Sequence, residues 1–211
     1  MNQRTLPFNK QEDYSSASYI VSESNQDAHT LIRRWPHWEA PMVYLYGEYG
    51  SGKTHLAHVW AEKAGAEFVA ASALSDYKAT PKALVIEDIE NAADEEAFFH
   101  LLNRLKENQS SVLLTGIAPV KDLPFKVADV RSRLSAAVSV FLDLPDDALI
   151  EGLLFKQFAD RQLRVPAEVI EYLVRRMDRS YASVIRIVEV IDSMSAEQRR
   201  NITVPLVREL L

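Results

Sequence analysis

Residues Gly47–Thr54 read GEYGSGKT. Glycine, four variable residues, glycine, lysine and then serine or threonine is the spacing of a phosphate-binding loop. Gly47, Gly50 and Gly52 let the backbone curl, so that successive N–H groups, that of Ser51 among them, turn inward toward phosphate oxygens. The helix that must follow adds its N-terminal partial charge. Lys53 then reaches the β- and γ-phosphates, and Thr54 offers its hydroxyl to Mg²⁺. The motif needs a strand before it and a helix after it, and both are legible: MVYLY (42–46) has strand character, and GKTHLAHVWAEKAG (52–65) has a helical pattern that stops at Gly65.

Outward from the loop, short apolar runs alternate with helical patterns. EFVAA (67–71), KALVIED (82–88), SVLLTG (111–116) and VSVFLDL (138–144) are four further strands. ADEEAFFHLLNRLKEN (93–108) is an amphipathic helix with Phe98, Leu101, Leu102 and Leu105 on one face, and Ala28, Leu31, Ile32 and Trp35 mark another before the first strand. The expected fold is therefore α/β: a five-stranded parallel sheet flanked by helices. After Pro145 the pattern changes to three helical stretches and a short fourth, with no strand between them. The expected division is an N-terminal arm over 1–15, a nucleotide-binding α/β domain over 16–144 and a small all-helical domain over 145–211.

A strand that ends in acid is the second element a nucleoside triphosphatase requires. ALVIEDIE (83–90) places Glu87 and Asp88 at the carboxyl end of its strand, where ligands bind in open α/β sheets. The expectation is that Glu87 joins Thr54 at Mg²⁺ and Asp88 orients the attacking water. The longer acid comes first, an order that points to slow hydrolysis in this pocket. His55 and His58 lie three apart on the following helix and are read as packed or solvent-facing rather than as metal ligands.

Composition narrows the classes. The 211 residues are 47% hydrophobic and 26% charged, with formal net charge −6 and no cysteine. Disulfides, thiolate chemistry and cysteine zinc sites are excluded. An acidic chain is a poor non-specific binder of phosphate backbones. No apolar run reaches membrane-spanning length and no secretory pattern opens the chain, so a cytoplasmic protein without membrane attachment is expected.

Together the loop, the acidic strand end, the SVLLTG strand and the helical lid resemble the AAA+ ATPases, and more closely the Hda-like branch of the DnaA-related AAA+ proteins. YSSASYIVSESNQDAH (14–29) resembles the segment that wraps the adenine in DnaA; the resemblance implies that Tyr19, Ile20 and Val21 line the base and that Asn25 fixes the segment. DVRSRL (129–134) resembles the box that carries an arginine finger, which implies Arg133 as the finger and leaves Arg131 as a solvated or interface charge. LLTGIAPVKDL resembles the sensor-1 strand and its turn, with Ile117 and Ala118 where polar residues are usual. Ala182 falls where many relatives have a sensor-2 arginine, with Arg179 and Arg186 nearby. A bound ADP or ATP, held more than turned over, and a weak intrinsic ATPase are what these departures imply.

An AAA+ core between a short arm and a lid, with no DNA-reading domain after Leu211, resembles the Hda layout. The arm carries QRTLPF, similar to the Q-L-x-L-P-F/L hexapeptide with which Hda-like proteins dock on the replication sliding clamp. Gln3, Leu6, Pro7 and Phe8 take the matching positions. Pro7 stiffens an extended segment, Leu6 and Phe8 fill an apolar groove, and Gln3 hydrogen-bonds at its rim. Such a peptide binds at roughly micromolar affinity, near −8 kcal/mol, which suffices as a tether. The implied partners are DnaA and the β subunit of DNA polymerase III, with DNA met only through the clamp; a homo-oligomer is compatible with the family. The implied function is inactivation of the initiator by stimulating hydrolysis of DnaA-bound ATP. The alternative is a self-contained ATPase that remodels a replication partner, in the manner of a helicase loader.

Overall fold

In the computed structural model, residues 14–198 and 201–210 are described. The hexapeptide with Gln3, Leu6, Pro7 and Phe8 lies outside them. Five parallel strands, β1 (Met42–Tyr46), β2 (Glu67–Ala70), β3 (Ala83–Glu87), β4 (Ser111–Gly116) and β5 (Val138–Phe141), form one sheet in the order β2-β3-β4-β1-β5. β1 carries the phosphate loop and sits between β4 and β5, so the loop emerges inside the sheet rather than at its edge.

The period-two alternation of the strands divides their side chains between two cores. Tyr44, Leu84, Ile86, Val112 and Leu114 face α3 (Glu95–Glu107) and α4 (Ala128–Ser135). Val43, Leu45, Val85 and Leu113 face α1 (Gln26–Arg33) and α2 (Lys53–Ala64). The expected apolar face of α3 is fully sequestered: Phe98, Leu101, Leu102 and Leu105 are all buried, each contributing about 1.5–3 kcal/mol relative to exposure. Asp94 caps this helix by accepting from the Ala97 amide, 2.9 Å. Gly65 ends α2 in the left-handed region (φ 62°), as a C-terminal glycine should.

The C-terminal part is helical throughout: α5 (Asp147–Asp160), α6 (Ala167–Val174), α7 (Tyr181–Gln198) and α8 (Val204–Arg208) enclose a third core around Leu154, Ile170, Val184 and Ile191. Asp146 starts α5 by accepting from the Leu149 amide at 2.7 Å, and its second oxygen accepts from the Ser24 amide at 3.1 Å. One carboxylate thus ties the segment before α1 to the first turn of the lid. No helix among the described residues is long and apolar enough to cross a membrane.

Candidate nucleotide site

A cavity of about 260 Å³ lies between the phosphate loop, the segment preceding α1 and the helical lid. Gly50, Ser51, Gly52, Lys53 and Thr54 form its floor, and Tyr19, Ile20 and Asn25 line its far side. Asp88 enters from the end of β3. The loop geometry follows from its glycines. Gly50 and Gly52 have φ of +83° and +96°, which side chains with a Cβ rarely adopt. Gly47 is bare for another reason: a Cβ there would collide with the Leu142 carbonyl. It leaves the sheet by donating to the Gly116 carbonyl at 3.2 Å and does not itself line the cavity.

Lys53 is buried, and its Nζ donates to the carbonyls of Gly47 (2.7 Å) and Glu48 (2.9 Å). Burial lowers its pKa, against the opposing pull of Asp88 and Glu90. A buried ammonium pointed along its own loop suits a ligand that brings negative charge. The Ser51 hydroxyl and the Tyr19 hydroxyl are buried without a hydrogen-bond partner among the described residues. These orphaned polar atoms, with the glycine cradle, fit a nucleotide. Thr54 and Asp88 offer one hydroxyl and one carboxylate on the same cavity, a donor set that fits Mg²⁺ held mainly by phosphates and water. Among the described residues no cluster of three or more histidine or acidic side chains stands ready to hold a metal by itself.

The acidic strand end differs from the sequence expectation. Glu87 ends β3 in register with Ala70 of β2 and is not in the cavity wall. Asp88 leaves the strand with φ +53° and turns inward, its amide donating to Thr115 Oγ1 at 3.0 Å. Of the two acids, Asp88 is the one that lines the cavity. Behind it stands Glu90, which the sequence reading passed over. Both of its carboxyl oxygens are buried without a hydrogen-bond partner among the described residues. Burial raises its pKa and Asp88 adds to the rise, while nearby backbone amides of Glu90 and Ile117, and the Lys53 charge, oppose it.

The segment before α1 is held from several sides. Asn25 is buried; its Nδ2 donates to the Ile20 carbonyl (2.9 Å) and its Oδ1 accepts from the Ser22 amide (2.9 Å). Tyr19 stacks on His29, centroids 5.5 Å apart, and meets His55 edge-on at 5.1 Å. His55 Nε2 lies 3.1 Å from Ser18 Oγ and 3.2 Å from the Ser15 carbonyl, and His58 stacks between Tyr14 and Phe68. Both histidines are packed against aromatic neighbours. Val21, expected at the base, is instead exposed and borders a separate cleft with Asp146, Asp147 and Arg179. Ile20 lies between, against Gly152 of α5.

From the lid come Tyr181 and Ala182, both in the cavity wall. The Tyr181 amide donates to the Gly50 carbonyl at 3.4 Å. Arg179 pairs with Asp147, and Arg186 lines a different cleft with Arg176 and Met177. Neither arginine is in the wall of the nucleotide cavity. Arg133, in the last turn of α4, is half-buried and donates to Asn103 Oδ1 of α3 at 2.8 Å; it too stands outside that wall, and Arg131 is exposed.

Comparison with known proteins agrees with this geometry. Residues 147–211 match the family model for the lid domain of Hda. Domain III of the replication initiation protein DnaA from Thermotoga maritima superposes with a TM-score of 0.81 at 14% identity, over 95% of this chain and 96% of that one. DnaA from Aquifex aeolicus, bound to AMPPCP, superposes at 0.72 with 20% identity, over 87% of this chain and 66% of that one. The Thermotoga maritima RuvB Holliday junction branch migration motor reaches 0.73 at 16% identity, over 93% and 70%. At these identities the solved structures establish a shared AAA+ fold, with a five-stranded parallel sheet and a helical lid.

Proposed function

We propose that this chain, an Hda-like protein of the DnaA-related AAA+ group, is a regulator of replication initiation that stimulates hydrolysis of DnaA-bound ATP. The observation that carries this reading is the position of Arg133. It sits on α4, held by Asn103 and outside the wall of the chain's own nucleotide cavity. An arginine placed so has no γ-phosphate of its own to act on and is available to one held by a neighbour. The guanidinium would stabilise charge developing on the transferred phosphoryl group, an effect of roughly 10³ to 10⁵ in rate where arginine fingers have been measured.

In this reading the chain's own nucleotide is chiefly structural. Lys53 and the loop amides hold its phosphates, and Tyr181 and Ala182 close over them from the lid. Bound Mg²⁺ would supply charge neutralisation between phosphate oxygens, with Thr54 and Asp88 as its protein partners. The QRTLPF arm would tether the protein to the sliding clamp, raising its local concentration at newly replicated DNA. DnaA left with ADP would no longer initiate.

The second reading, a self-contained remodelling ATPase, rests on Asp88, which is among the residues lining the cavity. Single-turnover hydrolysis separates the two. With ATP pre-bound to DnaA and clamp loaded on DNA, the wild-type chain should accelerate hydrolysis, whereas Arg133→Ala should not. Fast turnover of its own ATP, with DnaA unaffected, would select the remodelling reading.

A further inference from the structure

β5 is an outer strand of the sheet and pairs along one edge only, with β1. The Leu142 amide, just past its end, donates to the Tyr46 carbonyl of β1 at 2.8 Å. At the two-residue period of a strand, Val140 and Val138 therefore turn their backbone groups toward β1, and Ser139 and Phe141 turn theirs away from it. Both of these residues are exposed, and neither makes a backbone hydrogen bond outside the β1–β5 ladder among the described residues. Phe141 is 51% exposed, although its ring tilts against that of Tyr46 with centroids 5.4 Å apart. A row of unpaired N–H and C=O groups beside an exposed aromatic is a surface on which another strand can form.

A cleft of about 360 Å³ lies beside this edge, between β5 and the start of α1. Its charged residues are Glu23, Asp27 and Asp143, all exposed, and no lysine, arginine or histidine lines it. The charge decides what can add to the edge. A second copy of β5 would bring the same three carboxylates opposite these, and like charges so placed are destabilising. A strand with lysine or arginine at alternate positions would meet them with the opposite sign. The two faces of β5 differ in the same alternation: Val138 and Val140 pack with the core beneath α1, whereas Phe141 meets Tyr46 on the other face. The segment that fits is therefore basic on its α1 side and apolar on the side of Phe141.

We propose that the outer edge of β5 is a docking site for an extended segment of a partner protein, alternately basic and apolar, which binds by adding a strand to the sheet. Main-chain hydrogen bonds to Ser139 and Phe141 supply the affinity, and the carboxylates of Glu23, Asp27 and Asp143 select the sign of the side chains. None of these residues is in the wall of the nucleotide cavity, so the proposal does not depend on what that cavity holds.

The test is titration of the ¹⁵N-labelled full chain, followed by amide NMR, with two end-blocked peptides, Lys-Val-Thr-Val-Lys and Glu-Val-Thr-Val-Glu. The basic peptide should shift the Ser139 and Phe141 amides saturably, with a dissociation constant on the order of millimolar, and the acidic one should bind at least about tenfold more weakly. Ser139→Pro removes an outward N–H and leaves the β1 ladder intact; it should weaken the basic peptide about tenfold or more, whereas Ser139→Ala should not. No saturable shift with the basic peptide, equal binding of the two peptides, or unchanged binding in a folded Ser139→Pro protein overturns the proposal. If Ser139→Pro does not fold, the double variant Glu23→Gln/Asp27→Asn decides: it should weaken the basic peptide several-fold, and unaltered binding overturns the proposal. Self-association of the free chain that shifts the same two amides assigns the edge to a second copy and overturns it as well.

Discussion

Gly50 of the phosphate loop and Ser180, just before α7 of the lid, stand so close that a Cβ on Gly50 would come within 2.6 Å of the Ser180 Cβ. The loop and the lid are thus fitted to each other at a backbone that also has φ +83°. Gly50→Ala adds both a clash and a strained conformation, each costing on the order of 1 kcal/mol or more. We expect nucleotide affinity to fall by at least about tenfold, because the lid, and Tyr181 with it, must move away from Gly50. Titration with ADP checks this, and Gly65→Ala, at a positive φ far from the cavity, should lower thermal stability without that loss of affinity.

Lys53 sets a second expectation. Its ammonium is the buried positive charge of the cavity. Replacement by alanine should remove detectable nucleotide binding, a loss of two orders of magnitude or more at about 1.4 kcal/mol per tenfold. Ligand at one hundred times its dissociation constant stabilises a protein by about 2.7 kcal/mol. The melting temperature of the wild type should therefore rise with saturating ADP, and that of Lys53→Ala should not.

Asp146 provides a pH-dependent test of how the lid is attached. Partial burial pushes its pKa up, but the amides of Leu149 and Ser24 and the hydroxyls of Ser22 and Ser24 outweigh this and hold it below the ordinary value of 3.8. A depressed carboxylate stabilises the fold at neutral pH, and its contribution is lost as pH falls below about 4 through the folded value. Asp146→Asn should cost about 1 kcal/mol or more at pH 7, because the charge is lost and a single amide oxygen cannot accept from both Leu149 and Ser24, and the difference from wild type should shrink in acid. Chemical denaturation at pH 7 and pH 3 measures it.

Much of this architecture was legible before any coordinates. Phosphate loop, strands and α3 announce themselves through spacing and periodicity, because those signals are local. Strand order was not legible: β1 lies between β4 and β5 through pairings such as Tyr44 with Leu114, which no local pattern encodes. The acidic pair misled for a related reason. Continuing the strand through Asp88 makes Glu87 look like the inward group, but Asp88 adopts a positive φ, uncommon for a residue with a Cβ, and the chain turns there. That one torsion brings Asp88 into the cavity and leaves Glu87 outside it. Val21, expected at the base, is exposed, in a segment held on either side by Asn25 and Asp146. The attachment of Ser15 and Ser18 to His55 spans about forty residues of sequence and leaves no trace in local spacing.

In the proposed function Arg133 acts on a phosphate held by another protein. The most direct measurement is the rate of hydrolysis of labelled ATP pre-bound to DnaA, with clamp-loaded DNA and this chain carrying unlabelled ADP. Wild type, Arg133→Ala and Arg133→Lys should be compared. Lysine keeps the charge but loses the planar fork. The account predicts acceleration by the wild type, loss of about 10³-fold or more of that stimulation in Arg133→Ala, and little recovery in Arg133→Lys, with ADP binding equal in all three. Equal stimulation by wild type and Arg133→Ala would contradict it.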